Sequence, residues 1–417
     1  MEKAGSGRRL RYLLARSTHT LRERETTRAL QLIHPFPAPM SPTLTRRIIE
    51  TVTDPDSVVL DPMAGSGVVP LTAAALGRRA VAFDVDPLSR LMIRTSAKRF
   101  SDERVRMHAK RISQRARRVH SERLDRLFSR SFDRETREFV SFWFPRRSIR
   151  ALLALSEAIA ESDPDVKSHL WLGLSRSIIA KSSGVSWALD LPHTRPHRRK
   201  RTVSDPFETF ERQVELLLRH LERIPPTLAR AEIRHADARS LPLPDRSIDL
   251  VLTSSPYANA IDYMRSHKFS LIWMGYSLEQ LRQIRANMIG SERGTHSVRE
   301  GMEWLESLLP TVPGARLSLP VLRRFFYDMD DFIGEAARVL RPGAACVLVL
   351  GESRVGHRLV DTPSIVTRLA VRQGLRHVGT TYRSINRRRR SLPFPSSSRD
   401  ALSRRMAREA VVGLVAQ

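Results

Sequence analysis

The order of apolar and polar positions divides the chain into three stretches. In the first, Val58-Val-Leu-Asp61 is a short apolar run that enters a small-residue turn. Val68-Val-Pro-Leu-Thr-Ala-Ala-Ala-Leu-Gly77 follows with helical composition, and Arg79-Ala-Val-Ala-Phe-Asp-Val-Asp86 is a second apolar run ending in acids. This reads as strand, tight turn, helix and strand, with a further helix from Asp86-Pro87 to about residue 99. In the second stretch the alternation stops. Residues 101–135 are charged and helical in composition, with Leu124, Leu127 and Phe128 as a sparse apolar face. Phe139-Val-Ser-Phe-Trp-Phe144 precedes an amphipathic helix over 148–161, which Asp163-Pro164 ends. Helices over 166–182 and 207–223 flank a turn-rich basic cluster, Leu191-Pro-His-Thr-Arg-Pro-His-Arg-Arg-Lys-Arg201. In the third stretch, strands are predicted at 231–238, 248–253, 344–350, 375–382 and 409–415. Helices fall at 325–340 and 363–373, and Arg341-Pro-Gly343 reads as a turn.

A strand–helix alternation interrupted by a helical block predicts an α/β fold with a doubly wound, mostly parallel sheet of the seven-strand type and an inserted helical subdomain. The expected organisation is a basic, partly disordered arm over 1–29, a cofactor half over 30–100, the insert over 101–228 and a catalytic half over 229–417. Between arm and sheet, Ile33-His-Pro-Phe-Pro-Ala-Pro-Met-Ser-Pro42 carries four prolines. It predicts a stiff, extended segment leading into a helix capped near Ser41 or Thr43.

Composition narrows the partners. Of 417 residues, 71 are Lys or Arg and 44 are Asp or Glu, a formal net charge of +27. Such a surplus favours a polyanion, most simply a nucleic-acid backbone, although a generally Arg-rich proteome would give the same excess. Cys346 is the single cysteine, which excludes a disulfide framework and a multi-cysteine zinc site; no disulfide-linked partner is expected. No run reaches membrane-spanning length and no signal-type apolar core opens the chain, so a soluble, cytoplasmic protein is expected.

The candidate chemistry gathers at predicted strand ends. Gly65 and Gly67 leave backbone uncovered for a ligand to lie against a helix N-terminus. Asp84 follows Asp61 by 23 positions, near the offset at which nucleotide-binding folds place a ribose-binding carboxylate. Together they predict an adenosine-containing cofactor across two parallel strands. Asp237 ends a third strand, and Ser254-Ser-Pro-Tyr257 ends the fourth with a proline-stiffened turn and a ring. Asn259, Asp262 and Arg265 fall at helical spacing and hold the substrate or brace the loop, a capped polar helix face being the equal alternative. Arg195, Arg198 and Arg199, beside His193 and His197, have no acidic or cysteine partners in sequence and read as phosphate contacts, with no metal. Trp143, Trp171 and Trp187 read as subdomain core. Arg387 to Arg390 reads as a solvated loop or a backbone-binding edge.

Thr253-Ser-Ser-Pro-Tyr257 resembles the signature of the S-adenosylmethionine-dependent amino-methyltransferases of DNA, (Asp/Asn/Ser)-Pro-Pro-(Tyr/Phe), whose serine form is associated with cytosine-N4 enzymes. Asp61-Pro-Met-Ala-Gly-Ser-Gly67 is similar to the family's cofactor motif, and His34-Pro-Phe-Pro-Ala38 to the segment that encloses the methionine end. The resemblance implies a methyltransferase sheet and S-adenosyl-L-methionine as cofactor. It implies a cofactor site of His34, Pro35, Asp61, Pro62, Ala64, Gly65, Ser66, Gly67, Asp84 and Asp237, and a catalytic loop of Ser254, Ser255, Pro256 and Tyr257. The implied activity is DNA methylation at an exocyclic base amine, cytosine N4 first. Adenine N6, a base amine in RNA and a non-catalytic nucleic-acid-binding relative stay open. The sequence departs from the pattern at one place, where Ser255 stands for the first proline and removes a φ constraint from the loop.

Overall fold

A computed structural model of the chain describes residues 5–15, 25–36, 39–98, 101–179, 184–189, 191, 196–224, 230–256, 263–291, 298–309, 319–351, 353–355, 358–385 and 408–417. The strands are β1 (Val58–Asp61), β2 (Arg79–Phe83), the short pair β3 (Ala188–Leu189) and β4 (His197–Arg198), β5 (Ala231–Arg234) and β6 (Ile248–Ser254). They continue with β7 (Leu340–Gly351), the small pair β8 (Ser353–Val355) and β9 (Arg358–Val360), β10 (Leu375–Ser384) and β11 (Arg408–Ala416). Seven of them form one sheet in the order β10-β11-β7-β6-β1-β2-β5. β1, β2, β5, β6 and β7 pair in parallel, while β11 runs antiparallel to both neighbours. The α/β, mostly parallel seven-strand reading therefore holds.

The period of two along the central strands assembles two core layers. Ala345, Val347 and Val349 of β7 join Val59, Leu250 and Leu252 under helices Pro42–Val52 and Val68–Ala75. Cys346, Leu348 and Leu350 face the other way, onto Phe325, Phe326 and Phe332 of helix Leu319–Val339 and onto Leu369 of helix Thr362–Arg372. A strand covered on both faces must be apolar throughout, which is why β7 reads as one continuous run.

Two sequence expectations change. Arg341-Pro-Gly343 is not a separating turn. It is a kink inside β7, where the register against β6 jumps from Ile248↔Leu340 to Leu250↔Ala345. Gly343, at φ +75°, supplies the left-handed residue that the kink needs. Within the expected arm, Ser6–Ala15 is a helix that buries Leu10, Leu13 and Leu14. Their spacing makes one apolar face, and a Cβ at Gly413 of β11 would come within 2.5 Å of Leu14 Cδ1. The glycine lets the helix close onto the antiparallel edge.

The block between β2 and β5 is helical, as predicted. It comprises Asp102–Arg117, Ser121–Ser131, Arg134–Trp143, Arg146–Ala160, Pro164–Ile178 and Pro206–Leu221. Its core residues Leu152, Leu170 and Phe210 belong to one cluster with Met92 and Ile93, which follow β2, and with Phe269 and Trp273, which follow β6. The insert thus packs against the segments leaving the two strands that carry the candidate site. Arg387 to Arg390 lie outside the described residues.

Candidate active site

The sheet order reverses between β1 and β6: from β1 the chain builds outward through β2 and β5, then crosses back to β6 and β7. Ligands of open α/β sheets bind beyond the strand C-termini at such a point. A cleft opens there, lined by Asp61, Gly65, Asp84, Asp237, Ser254 and Pro256 among others. Residues separated by almost two hundred positions in sequence thus share one wall.

The glycine turn is fixed by backbone and carboxylate together. Ala64 N donates to Phe83 O at 3.0 Å, and Gly67 N to Ala64 O at 2.8 Å. Gly65 N donates to Asp84 Oδ2 at 2.8 Å, and Asp86 N donates to Asp84 Oδ1 at 2.8 Å. Asp84 therefore braces the turn that it follows by one strand. Gly67, at φ +83°, is the N-cap of helix Val68–Ala75, and a Cβ there would meet Ile93 Cγ1 at 2.5 Å. Gly65, at φ +50°, lies under the Phe36 ring, 3.2 Å from where its Cβ would be. Only glycine fits either place without displacing a neighbour.

The acids are electrostatically distinct. Burial pushes Asp61, 3% exposed, up to about 7, and Asp84 up to about 6 with the neighbouring Asp86 adding to the rise. Asp237 behaves differently. Burial raises it, but Arg239 outweighs burial by donating Nη2 to Oδ2 at 2.6 Å and both its backbone N and Nε to Oδ1, leaving Asp237 below the carboxylate norm. Arg239 also binds Asp328 and donates to Asn287 O, so it ties the loop after β5 to the segment closing the cleft.

Ser254, Pro256, Pro62, Ala64 and Ser66 line the cleft, and Gly67 stands just behind it. Ser255 is 2% exposed, and its Oγ has no hydrogen-bond partner among the described residues. Tyr257, Asn259, Asp262 and Arg195 lie outside the described residues. Arg198 and Arg199 lie on and beside β4, on the insert. His34 and Pro35 are not brought to the cleft wall, where Phe36 stands instead. His34 is buried, with Nε2 2.8 Å from Ser175 Oγ of the insert, because the prolyl segment turns its apolar ring outward to the cleft and its histidine inward.

The sequence reading also passed over part of the wall. Tyr263 stacks on Phe36 with centroids 4.9 Å apart and rings 21° from parallel. Arg285 and the run from Asn287 to Ser291 close the opposite side. No local motif marks that run; only the path of the chain after helix Leu278–Asn287 places it there. Among the described residues, no group of three or more His, Cys, Asp or Glu side chains could hold a metal ion. No helix among them is long and apolar enough to cross a membrane.

The cleft fits an adenosine-type cofactor by the chemistry of its donors: two strand-end carboxylates, a glycine backbone open to close approach and an apolar wall. Comparison with known proteins agrees. Residues 13–89 match a family model described as DNA methylase. The chain is 23% identical over 389 residues to the type II methyltransferase M.MvaI of Kocuria varians, covering 85% of this chain and 84% of that protein. Among solved structures, a TehB-like SAM-dependent methyltransferase from Corynebacterium glutamicum aligns over 89% of this chain and 86% of its own, at 8% identity and a TM-score of 0.29. That score adds nothing to the strand order itself. The chain is thus similar to DNA amino-methyltransferases of the N4/N6 type, a likeness that supports S-adenosylmethionine as the cofactor.

Proposed function

We propose that the chain methylates an exocyclic amine of a DNA base, with cytosine N4 the favoured acceptor. The supporting observation is that Ser254 and Pro256, from the motif ending β6, share one cleft with Asp61, Asp84 and the glycine turn. When bound, S-adenosylmethionine supplies a methyl group activated on a sulfonium. Asp61, Asp84, Gly65 and Ser66 hold it, and Phe36 and Tyr263 cover it.

The protein's task is then to make a poor nucleophile competent. A base amine has its lone pair delocalised into the ring. The Ser254 hydroxyl and the Ser255 carbonyl accept the amine N–H groups and favour a pyramidal nitrogen. Tyr257 stacks on a base taken out of the duplex. Positioning and preorganised acceptors carry the rate without a covalent enzyme intermediate. Cys346, the single cysteine, takes no part: it is buried inside β7 and burial pushes its thiol up to about 12. C5 methylation, which needs a cysteine nucleophile, is thereby disfavoured.

The test is mass spectrometry of nucleosides from DNA and from RNA incubated with isotopically labelled cofactor. Label on N4-methylcytosine is expected. Label on N6-methyladenine alone would replace the acceptor, and label in RNA alone would defeat the reading. Tyr257→Ala is expected to abolish transfer with cofactor affinity nearly intact.

A further inference from the structure

A strip of alternating rings and cations runs from the helix beside the cleft across the surface of the insert. It starts on helix Met264–Leu271, next to the cleft-lining Tyr263. Lys268 Nζ lies 5.0 Å from the Phe139 ring centroid. Phe139 is 6.4 Å from Trp143, and Trp143 is 5.1 Å from Phe142. The Arg198 guanidinium then sits 4.3 Å over Phe142 and 4.9 Å over Trp187, with Lys200 Nζ 5.9 Å from Trp187. Lys268 is five positions after Tyr263, roughly 7–8 Å along a helix axis.

The strip is built rather than casual. Arg198 Nε donates to Phe142 O at 2.6 Å, Trp187 N to Trp143 O at 2.8 Å, and Arg199 N to Trp187 O at 2.9 Å. The short β3–β4 pair is thereby fastened to helix Arg134–Trp143. Many arginines on the helices of the insert are engaged with carboxylates, as in Arg106–Glu215, Arg147–Asp205 and Arg150–Asp125. Among the described residues no carboxylate pairs with Arg198, Arg199 or Lys200, all of them exposed. Phe142 is 50% exposed beside them. A surface that keeps a large ring in water beneath unneutralised cations matches a partner with both flat apolar faces and regularly spaced negative charge. Trp187, read from sequence as core, is a half-buried base for these cations.

We propose that this strip is the track on which the DNA approaches the cleft, with Arg198, Lys200 and Arg199 on backbone phosphates and Phe142 against a sugar or base. The proposal rests on the base-methylation reading and adds the surface that carries the substrate. The experiment compares wild type with the double variant Arg198→Ala and Lys200→Ala. Binding of a fluorescent duplex oligonucleotide is followed by anisotropy between 50 and 200 mM salt, ranges over which such contacts change strongly. Removing two phosphate contacts is expected to lower the slope of log affinity against log salt by about 1.8 and to weaken binding roughly tenfold. S-adenosylmethionine affinity, measured by calorimetry, is expected to stay within about twofold, which also reports that the variant is folded. Arg198→Lys is expected to keep the slope while losing affinity, since an ammonium does not stack between two rings as a guanidinium does.

Superimposable salt slopes for wild type and double variant would overturn the proposal. So would wild-type binding to anionic vesicles or RNA through these residues with none to duplex DNA. The two readings fail separately. If DNA binds through the strip but labelled cofactor yields no methylated base, the activity is wrong and the surface stands. If DNA is methylated and the variant binds it like wild type, the surface is wrong and the activity stands.

Discussion

Nδ1 of His267 donates to Oδ2 of Asp86 in a place with almost no solvent, His267 being 0% and Asp86 3% exposed. Asp86 also caps helix Pro87–Ala97 by accepting from Leu88 N at 2.8 Å. His267 lies on the helix that follows the Ser254-Ser-Pro segment, with its ring 5.6 Å from Phe36. The pair therefore joins the segment leaving β2, beside Asp84, to the helix that follows the cleft-lining Tyr263. Burial pushes the Asp86 carboxyl up, yet His267 and the helix N–H outweigh it and hold it below its ordinary range.

His267→Leu keeps the volume and removes the donor, leaving Asp86 buried and unpaired. Breaking such a pair from one side costs about 3–5 kcal/mol. Urea unfolding is expected to show a loss of that size, with His267→Asn recovering most of it because its amide reaches the same carboxylate. Equal stability of the leucine variant and wild type would remove the pair from any structural role. The pH dependence has a definite sign. A carboxyl held low in the folded state contributes stability above its unfolded value near 3.9, and loses it as the pH falls through the folded one.

Asp61 and Asp84, the proposed cofactor acids, carry the opposite sign. Asp61, raised to about 7, and Asp84, raised to about 6, retain protons in the folded state that the unfolded chain has released. Between about pH 4 and 7 these two groups therefore lower stability as the pH rises. Ionised carboxylates are what a cationic, hydroxyl-bearing ligand needs. Cofactor affinity is expected to rise on the order of tenfold from pH 5.5 to 8 and then level, with Asp61→Asn flattening the upper part of the curve. Calorimetric titrations across that range decide it, and a flat wild-type profile would mean that neither acid meets the ligand.

The two glycines of the turn separate packing from ligand access. Gly67→Ala places a methyl group against Ile93 at a left-handed residue, and is expected to cost about 2–4 kcal/mol of stability. Gly65→Ala meets only the rim of the Phe36 ring. It should cost about 1–2 kcal/mol in the free protein and weaken cofactor binding more than Gly67→Ala does. Thermal melts with and without cofactor distinguish the two, and the reverse ranking would misplace the cofactor in the turn.

The two serines of the motif are expected to differ as well. Ser254 lines the cleft, and its hydroxyl is one proposed acceptor. Ser254→Ala is expected to lower kcat by about 10² to 10³, as loss of one preorganised group of this kind does. Ser255 offers its carbonyl, while its buried Oγ has no partner among the described residues. Ser255→Ala should therefore leave kcat within a few-fold and be neutral or slightly stabilising. Single-turnover rates for both variants provide the comparison, and equal losses would point to a direct role for the Ser255 hydroxyl.

Sequence alone determined most of the sheet. Strand positions follow from local apolar runs, and the fully apolar β7 from burial on both faces. Asp61, Gly65, Gly67, Asp84 and Ser254 were legible because turn chemistry and strand ends act over a few residues, and all but Gly67 line the cleft. The helix over residues 6–15 was missed although its Leu10, Leu13 and Leu14 repeat is plain in the sequence, because the surrounding arginines masked it. Tertiary structure decided what depends on contacts between distant segments. His34 turned inward to Ser175 while Phe36 faced the cleft, since a buried imidazole needs a polar partner and a ring covering the glycine turn does not. Asp86 and His267 are 181 positions apart, and no local pattern pairs them. Nor does one reveal that Arg198 rests on Phe142 and Trp187, because a cation finds those rings only once the insert has folded.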